Sequence, residues 1–348
     1  MSEQEEKPRR GPWRVIRTIL LCLAVAFVGF LVIRSFVSGG ETATPPDLLE
    51  DEIRLTDATG RYQYNLNADG TASLRWVTGG GEEVDLPDAL DGHPLTGLGD
   101  DCFRRRGKLK RVTLPDTVTV IGASAFAGCS SLTRIDLPPG LETIGASAFS
   151  GCSALTEIAI PDSVTRIGES AFALCTGLRH ATLPAGLEEI PDSLFLQCGV
   201  LAEIALPQGL VRIGGSAFSG CSALSGATLP GTLTEIGSWA FSGCQELREL
   251  VVPGSVRRIG NNAFFNCHHL ATAVLREGVT QLGDYAFANC GLRRVSLPGS
   301  LIRIGEGAFH SYHLTEFRPN MDITFTAPEG SYAATYCSQY GYALEPLP

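Results

Sequence analysis

Ten phenylalanines recur at a fixed interval, and no other property of the chain restricts its fold as much. They are Phe103, Phe126, Phe149, Phe172, Phe195, Phe218, Phe241, Phe264, Phe287 and Phe309, spaced by 23 residues at every step except the last, which is 22. Self-similarity at one period marks an array of supersecondary units, each too small to bury its own apolar face. Two further columns keep the same step. A cysteine follows the Phe by three residues, from Cys129 to Cys290, and a leucine follows it by five or six, from Leu109 and Leu132 to Leu314.

One unit, Leu132 to Ala154, shows what the columns do. Leu132-Thr-Arg-Ile-Asp-Leu137 alternates at period two, the pattern of a short strand with Ile135 and Leu137 inward and Arg134 and Asp136 outward. Pro138 ends it, because proline cannot donate to a ladder. Leu141 and Ile144 send two more apolar side chains inward before Gly145, and Ala146-Ser-Ala-Phe149 reads as a short helical turn. Stacked at ~4.8 Å per strand, ten units span ~43 Å with the Phe rings as an internal column. The expectation is an α/β repeat solenoid of about ten units.

A stack of strands has two open ends, and open edges invite aggregation. The flanking sequence supplies candidates to close both. Arg61 to Leu66, the turn Asn67-Ala-Asp-Gly70 and Thr71 to Val77 read as a β-hairpin; Ile323 to Phe325 reads as a last strand, and Ser331 to Tyr340 as a capped helix ending at Gly341.

The chain is acidic overall, with a net charge of −10, yet residues 1–40 hold six Arg or Lys against three Glu, so +3, which leaves −13 for the rest. An acidic body repels phosphate backbones, and nucleic acid is not an expected partner. Within the basic stretch, Thr18 to Ile33 carries no charge. Its sixteen residues span ~24 Å as a helix, and the stems of Arg17 and Arg34 extend the reach toward a ~30 Å hydrocarbon core. Basic residues precede the segment and Glu41, Asp47, Glu50, Asp51 and Glu52 follow it, which places the N-terminus in the cytoplasm and the repeats outside. A cleaved signal peptide ending near Val37-Ser38-Gly39 is the rival reading and stays open. The chain then divides into a basic tail (1–14), a transmembrane helix (15–37), a linker (38–56), a hairpin cap (57–84), the solenoid (85–319) and a C-terminal cap (320–348).

The motif L-x-x-I-x-L-P…I-G-x-x-A-F-x-G-C, carried here by Leu132, Ile135, Leu137, Pro138, Ile144, Gly145, Ala148, Phe149, Gly151 and Cys152, resembles the BspA-type leucine-rich repeats of bacterial and protist surface proteins. The resemblance covers about residues 60–348. It implies surface exposure and, as for members of known role, binding of matrix proteins or other cells. It departs from the family in the predicted N-terminal anchor and in lacking a C-terminal sorting motif.

Where a column varies at an exposed position, the residue is free to serve a ligand. The second outward strand column includes Asp136, Thr182, Thr228, Val251, Val274 and Ser296; it is small, nearly uncharged and flanked by a mixed-charge column from Arg111 to Glu316. These six are the expected binding stripe for a protein or cell-surface ligand. The Val-Thr-x-Ile-Gly side, with Glu188, Glu189, Arg257 and Arg258, reads as solvated surface, and Trp239 as either a contact residue or a cover over the core edge. The eight column cysteines read as buried thiols, because parallel side chains do not present disulfide geometry. His268, His269, His310 and His313 read as exposed loop residues. No G-x-S-x-G, P-loop, HExxH or metal-type C-x-x-C occurs, so neither an enzyme nor a cofactor is expected. The sequence thus suggests a single-pass protein of the cell membrane, its repeats extracellular and binding a partner; a scaffold of the cell envelope is the alternative.

Overall fold

The computed structural model describes residues 55–313 and 316–346. The tail at 1–14, the helix expected at 15–37 and most of the linker lie outside the described residues. No helix among the described residues is long and apolar enough to cross a membrane.

Each unit contributes to three parallel ladders. The first is built from the L-x-x-I-x-L strands: Glu83–Asp85, Arg111–Thr113, Arg134–Ile135, Glu157–Ala159 and His180–Thr182, a bridge between Glu203 and Gly226, then Glu249–Val252, Thr272–Leu275, Arg294–Ser296, Thr324–Ala327 and Ala343–Pro346. That makes twelve rows, two more than the Phe column numbers, because the C-terminal segment adds Thr324–Ala327 and Ala343–Pro346 after the last repeat. The second ladder runs through two-residue strands from Val120–Ile121 to Arg303–Ile304. Its N-terminal end is closed by a hairpin, Tyr62–Leu66 against Ala72–Val77, which pairs with His93–Leu98 before the repeats begin.

The third ladder corrects a sequence expectation. Ala146 to Phe149 is not a helical turn. Ser147 sits at φ 55, and its counterparts Ser124, Ser170, Ser193 and Ser216 are equally left-handed, a conformation a right-handed helix excludes. The N–H groups reach the next unit instead: Phe126 N–H donates to Ala148 O at 2.7 Å and Phe149 N–H to Ala171 O at 2.8 Å. The array is therefore a β-solenoid. Among the described residues one helix occurs, Tyr332–Tyr340, whose Ser331 side chain accepts from Ala334 N–H and whose chain leaves through left-handed Gly341.

The Phe column forms the core. Every ring from Phe103 to Phe264 is fully or almost fully buried, and successive centroids lie 5.0–5.9 Å apart in stacked pairs. Beside it the ten described cysteines are buried free thiols. Each column thiol donates to the carbonyl of the Phe 26 residues earlier, as in Cys152 to Phe126 at 3.3 Å and Cys175 to Phe149 at 3.2 Å. Cys102 takes the place that Ala125 and Ala148 hold before their Phe, and Cys337 lies on the buried side of the helix.

One unit, Leu178 to Val200, breaks the regularity, and its sequence explains why. A Cβ placed on Gly168 would lie 2.3 Å from Ala146 N, so the residue closing the second strand must be glycine for adjacent rows to approach. Residue 191 is proline. It has a Cβ and no N–H, and the second ladder parts between Arg166–Ile167 and Glu189–Ile190. Leu194, fully buried, replaces the usual alanine before the Phe. The Phe195 ring accordingly stands 5.9 and 5.8 Å from its neighbours and is tilted by 18° and 19°, against 1–7° for most pairs.

Candidate interaction surface

Each strand of the first ladder turns its first and third residues outward and its second inward, as in Glu249–Val252, so outward side chains line up only where strands hold register. In the C-terminal half they do. Val251 pairs with Val274, Val274 with Ser296 and Ser296 with Thr326, within a sheet of five strands from Glu249–Val252 to Ala343–Pro346. Val251 is 48% exposed. A valine facing solvent from mid-strand suits the strand backbone but wastes apolar area unless something covers it. Beside this row lies a recess of ≈ 550 Å³ lined by Val274, Arg276, Glu277, Ser296 and Pro328, an apolar floor between one cation and one anion.

The N-terminal half is different. Asp136 falls just past its strand, Arg134–Ile135, and that strand is not paired to Glu157–Ala159. The seam opens a recess of ≈ 320 Å³ lined by Arg134, Asp136, Glu157, Ala159, His180 and Thr182. The Arg134 guanidinium meets Asp136 at 3.0 Å, and this carboxylate pushes the arginine pKa up. Thr182 is in register with Ala159. Thr228 is not joined to any of the other stripe residues: beyond the Glu203–Gly226 bridge the ladder parts again before Glu249. Gly226 is a poor strand former, which fits its pairing with Glu203 through a single bridge. Nothing in the two flanking units explains the seam at Asp136. The six stripe residues are thus one continuous row only at Val251, Val274 and Ser296.

The second-ladder side carries a chain of exposed ion pairs. Arg212 contacts Glu189, lies 3.2 Å from Asp192 and 4.0 Å from Glu235, which also approaches Arg258 at 3.9 Å. Exposed pairs of this kind contribute at most about 1 kcal/mol each. The histidines need a correction. His268 and His269 are exposed at the turn edge, His269 lying 3.3 Å from Glu246. His310, however, begins a strand, His310–His313, paired antiparallel with Glu316–Pro319. It is half-buried against Phe317 and Tyr340, and burial pushes its pKa down. No group of three or more His, Cys, Asp or Glu placed to hold a metal ion occurs among the described residues. Trp239 is half-buried with its ring edge-on to Phe265 at 5.8 Å.

A profile described as the BspA type leucine rich repeat region matches the chain in six copies, over residues 96–211 and 188–315. The chain belongs to this family. Family and fold together make it a repeat scaffold. A leucine-rich repeat protein from Bacteroides ovatus shares 23% identity over 87% of this chain and 100% of its own, with a TM-score of 0.56, a likeness of fold. A leucine rich cell surface protein from Faecalibacterium prausnitzii is 27% identical over 82% of this chain and 97% of its own, with a TM-score of 0.47. A leucine-rich repeat protein from Bacteroides capillosus is 34% identical over 34% of this chain and 88% of its own, with a TM-score of 0.30. Comparison with curated proteins gives no match.

Proposed function

We propose that this chain is a surface protein held at the cell membrane by its N-terminal apolar segment, and that it binds a protein partner along the outward row Val251, Val274 and Ser296. The observation that carries the reading is Val251, 48% exposed on the strand that opens the longest continuous stretch of the first ladder. A flat row of small side chains loses little conformational entropy on binding, and the Arg276 and Glu277 side chains beside it suit a mixed-charge rim. Membrane attachment rests on the uncharged run Thr18 to Ile33 and the basic residues before it.

Binding of the purified full-length chain to a panel of matrix proteins and to cells tests the partner reading. Saturable binding that falls at least about tenfold in the Val251→Glu, Val274→Glu double variant supports it. Binding that survives the double variant, or no binding to any member of the panel, overturns it; the latter favours the envelope scaffold. Topology is read separately. An epitope after residue 348 should be accessible on intact cells and fractionate with membranes. A released protein beginning near residue 40 would make the apolar segment a signal peptide instead.

A further inference from the structure

The third ladder carries a half-buried column whose chemistry changes along the array. The residue two before each core Phe is left-handed, and in five units it is a serine: Ser124, Ser147, Ser170, Ser193 and Ser216. In the next three units the column reads Trp239, Asn262 and Tyr285, at φ 63, 56 and 58. Asparagine tolerates this region; bulky aromatic residues are rare in it and are retained only where the surroundings enforce them. Both rings are half-buried, leaving part of each accessible. Trp239 leans edge-on against Phe265, and Tyr285 against Phe317 at 5.6 Å. The Tyr285 ring lies over Gly307, where an added Cβ would come within 2.5 Å of it, so the next unit keeps a slot open for that ring.

Between the two aromatic rows sits Asn262, only 7% exposed, and its Oδ1 is buried with no hydrogen-bond partner. An orphaned buried amide oxygen is costly in a native structure and calls for an explanation. Asn266 and Asn289 add two more amides on neighbouring rows, joined Nδ2 to Oδ1 at 2.6 Å. The column itself has no charged residue from Ser124 to Tyr285.

We propose that the face from Trp239 to Tyr285 binds a neutral polysaccharide. A pyranose ring presents an apolar C–H face that packs on an aromatic ring and a rim of hydroxyls that hydrogen-bond to planar amides. A linear glycan running along the solenoid meets Trp239, Asn262 and Tyr285 on consecutive rows, and a turn of the Asn262 side chain toward the surface brings its unpartnered amide oxygen to a sugar hydroxyl. An anionic polymer or a lipid headgroup would need cations, and this column offers none.

The proposal concerns a different face from the valine row, so the two stand or fall separately. The variant Trp239→Ser, Tyr285→Ser places at both sites the residue five other units carry at the same φ, and it is expected to fold with an unchanged or higher melting temperature. The full-length chain, in a polyoxyethylene detergent that contains no sugar, is run through gels holding soluble α-glucan, β-glucan, xylan or mannan, with dextran sulfate as the charged control. At least one neutral polysaccharide should retard the wild type, with affinity about tenfold weaker in the double serine variant and unchanged in Val251→Glu, Val274→Glu. Lack of retardation by every neutral polysaccharide, retardation by dextran sulfate alone, or equal retardation of the folded serine variant overturns the proposal. So does a protein ligand that needs Trp239 while no glycan binds.

Discussion

Replacing one ring of the Phe column tests whether the stack is the principal source of stability. Phe149 is fully buried between Phe126 at 5.1 Å and Phe172 at 5.3 Å, with interplanar angles of 7° and 2°. Phe149→Ala should cost about 3–5 kcal/mol, since rigid rings on both sides prevent the cavity from collapsing. Phe149→Leu keeps most of the apolar volume and loses two stacked pairs, each contributing roughly 0.5–1.5 kcal/mol, so about 1–3 kcal/mol is expected. Phe195 provides the internal control. Its neighbours stand 5.9 and 5.8 Å away and are already tilted, so Phe195→Ala should fall at the low end, near about 3 kcal/mol. Urea unfolding followed by circular dichroism measures all three. The array couples through nearest neighbours, so the losses should also broaden the transition. A cost below about 1 kcal/mol for Phe149→Ala, or a larger cost at Phe195 than at Phe149, would refute the idea that ring contact sets the stability.

Three further outcomes follow from the same geometry. Burial pushes the thiols of Cys129, Cys175 and Cys221 up to about 12, well above the ~8.5 of an unfolded thiol. The native protein should therefore resist a thiol reagent at pH 8 until urea is added, and its stability should fall as pH rises above about 8.5, where only the unfolded chain ionises; rapid native-state labelling of these cysteines would contradict their burial. Asp57, in the hairpin cap, is raised by burial but lowered further by hydrogen bonds from the Thr59 hydroxyl and the N–H groups of Tyr62, Thr59 and Arg61, with a net lowering. Its contribution should be present above pH ~4 and vanish as pH falls through the lowered value, and Asp57→Ala should fray the hairpin by about 1–3 kcal/mol, visible in limited proteolysis. Gly237→Ala would set a Cβ 2.6 Å from Gly215 N, backbone that cannot yield, so the variant should melt well below wild type; an unchanged melting temperature would refute the close approach of these rows.

The core was legible in the sequence because burial repeats with the period: a Phe or Cys that recurs at one column has one environment, and reading one unit reads them all. The third ladder was not legible as a strand-like element, because Ala-Ser-Ala-Phe has high helix propensity and its left-handed serine leaves no mark in composition. The outward column was half legible. Alternation assigned the outward side correctly, but a stripe is continuous only where neighbouring strands pair, and pairing depends on packing between units that one unit's pattern does not contain. Asp136 and Thr228 have outward positions and no continuous neighbours; Val251 and Val274 have both.

The departures from the consensus carry the most information, and Pro191 shows how. Comparison of columns marks it at once as a proline where the other units have glycine, yet the sequence alone assigns it no consequence. The structure supplies one: Gly168 needs a 2.3 Å margin that any Cβ would fill, so a proline at the equivalent place forces the second ladder apart, leaves Ile167 half-exposed and tilts the Phe195 ring. Trp239 and Tyr285 obey the same logic on the third face. A residue that is costly at its own backbone position, in a column where five other units use serine, marks the place on which the proposed glycan face rests. The repeat that makes the scaffold readable thus also isolates the residues the scaffold does not need, and those are where a ligand is to be sought.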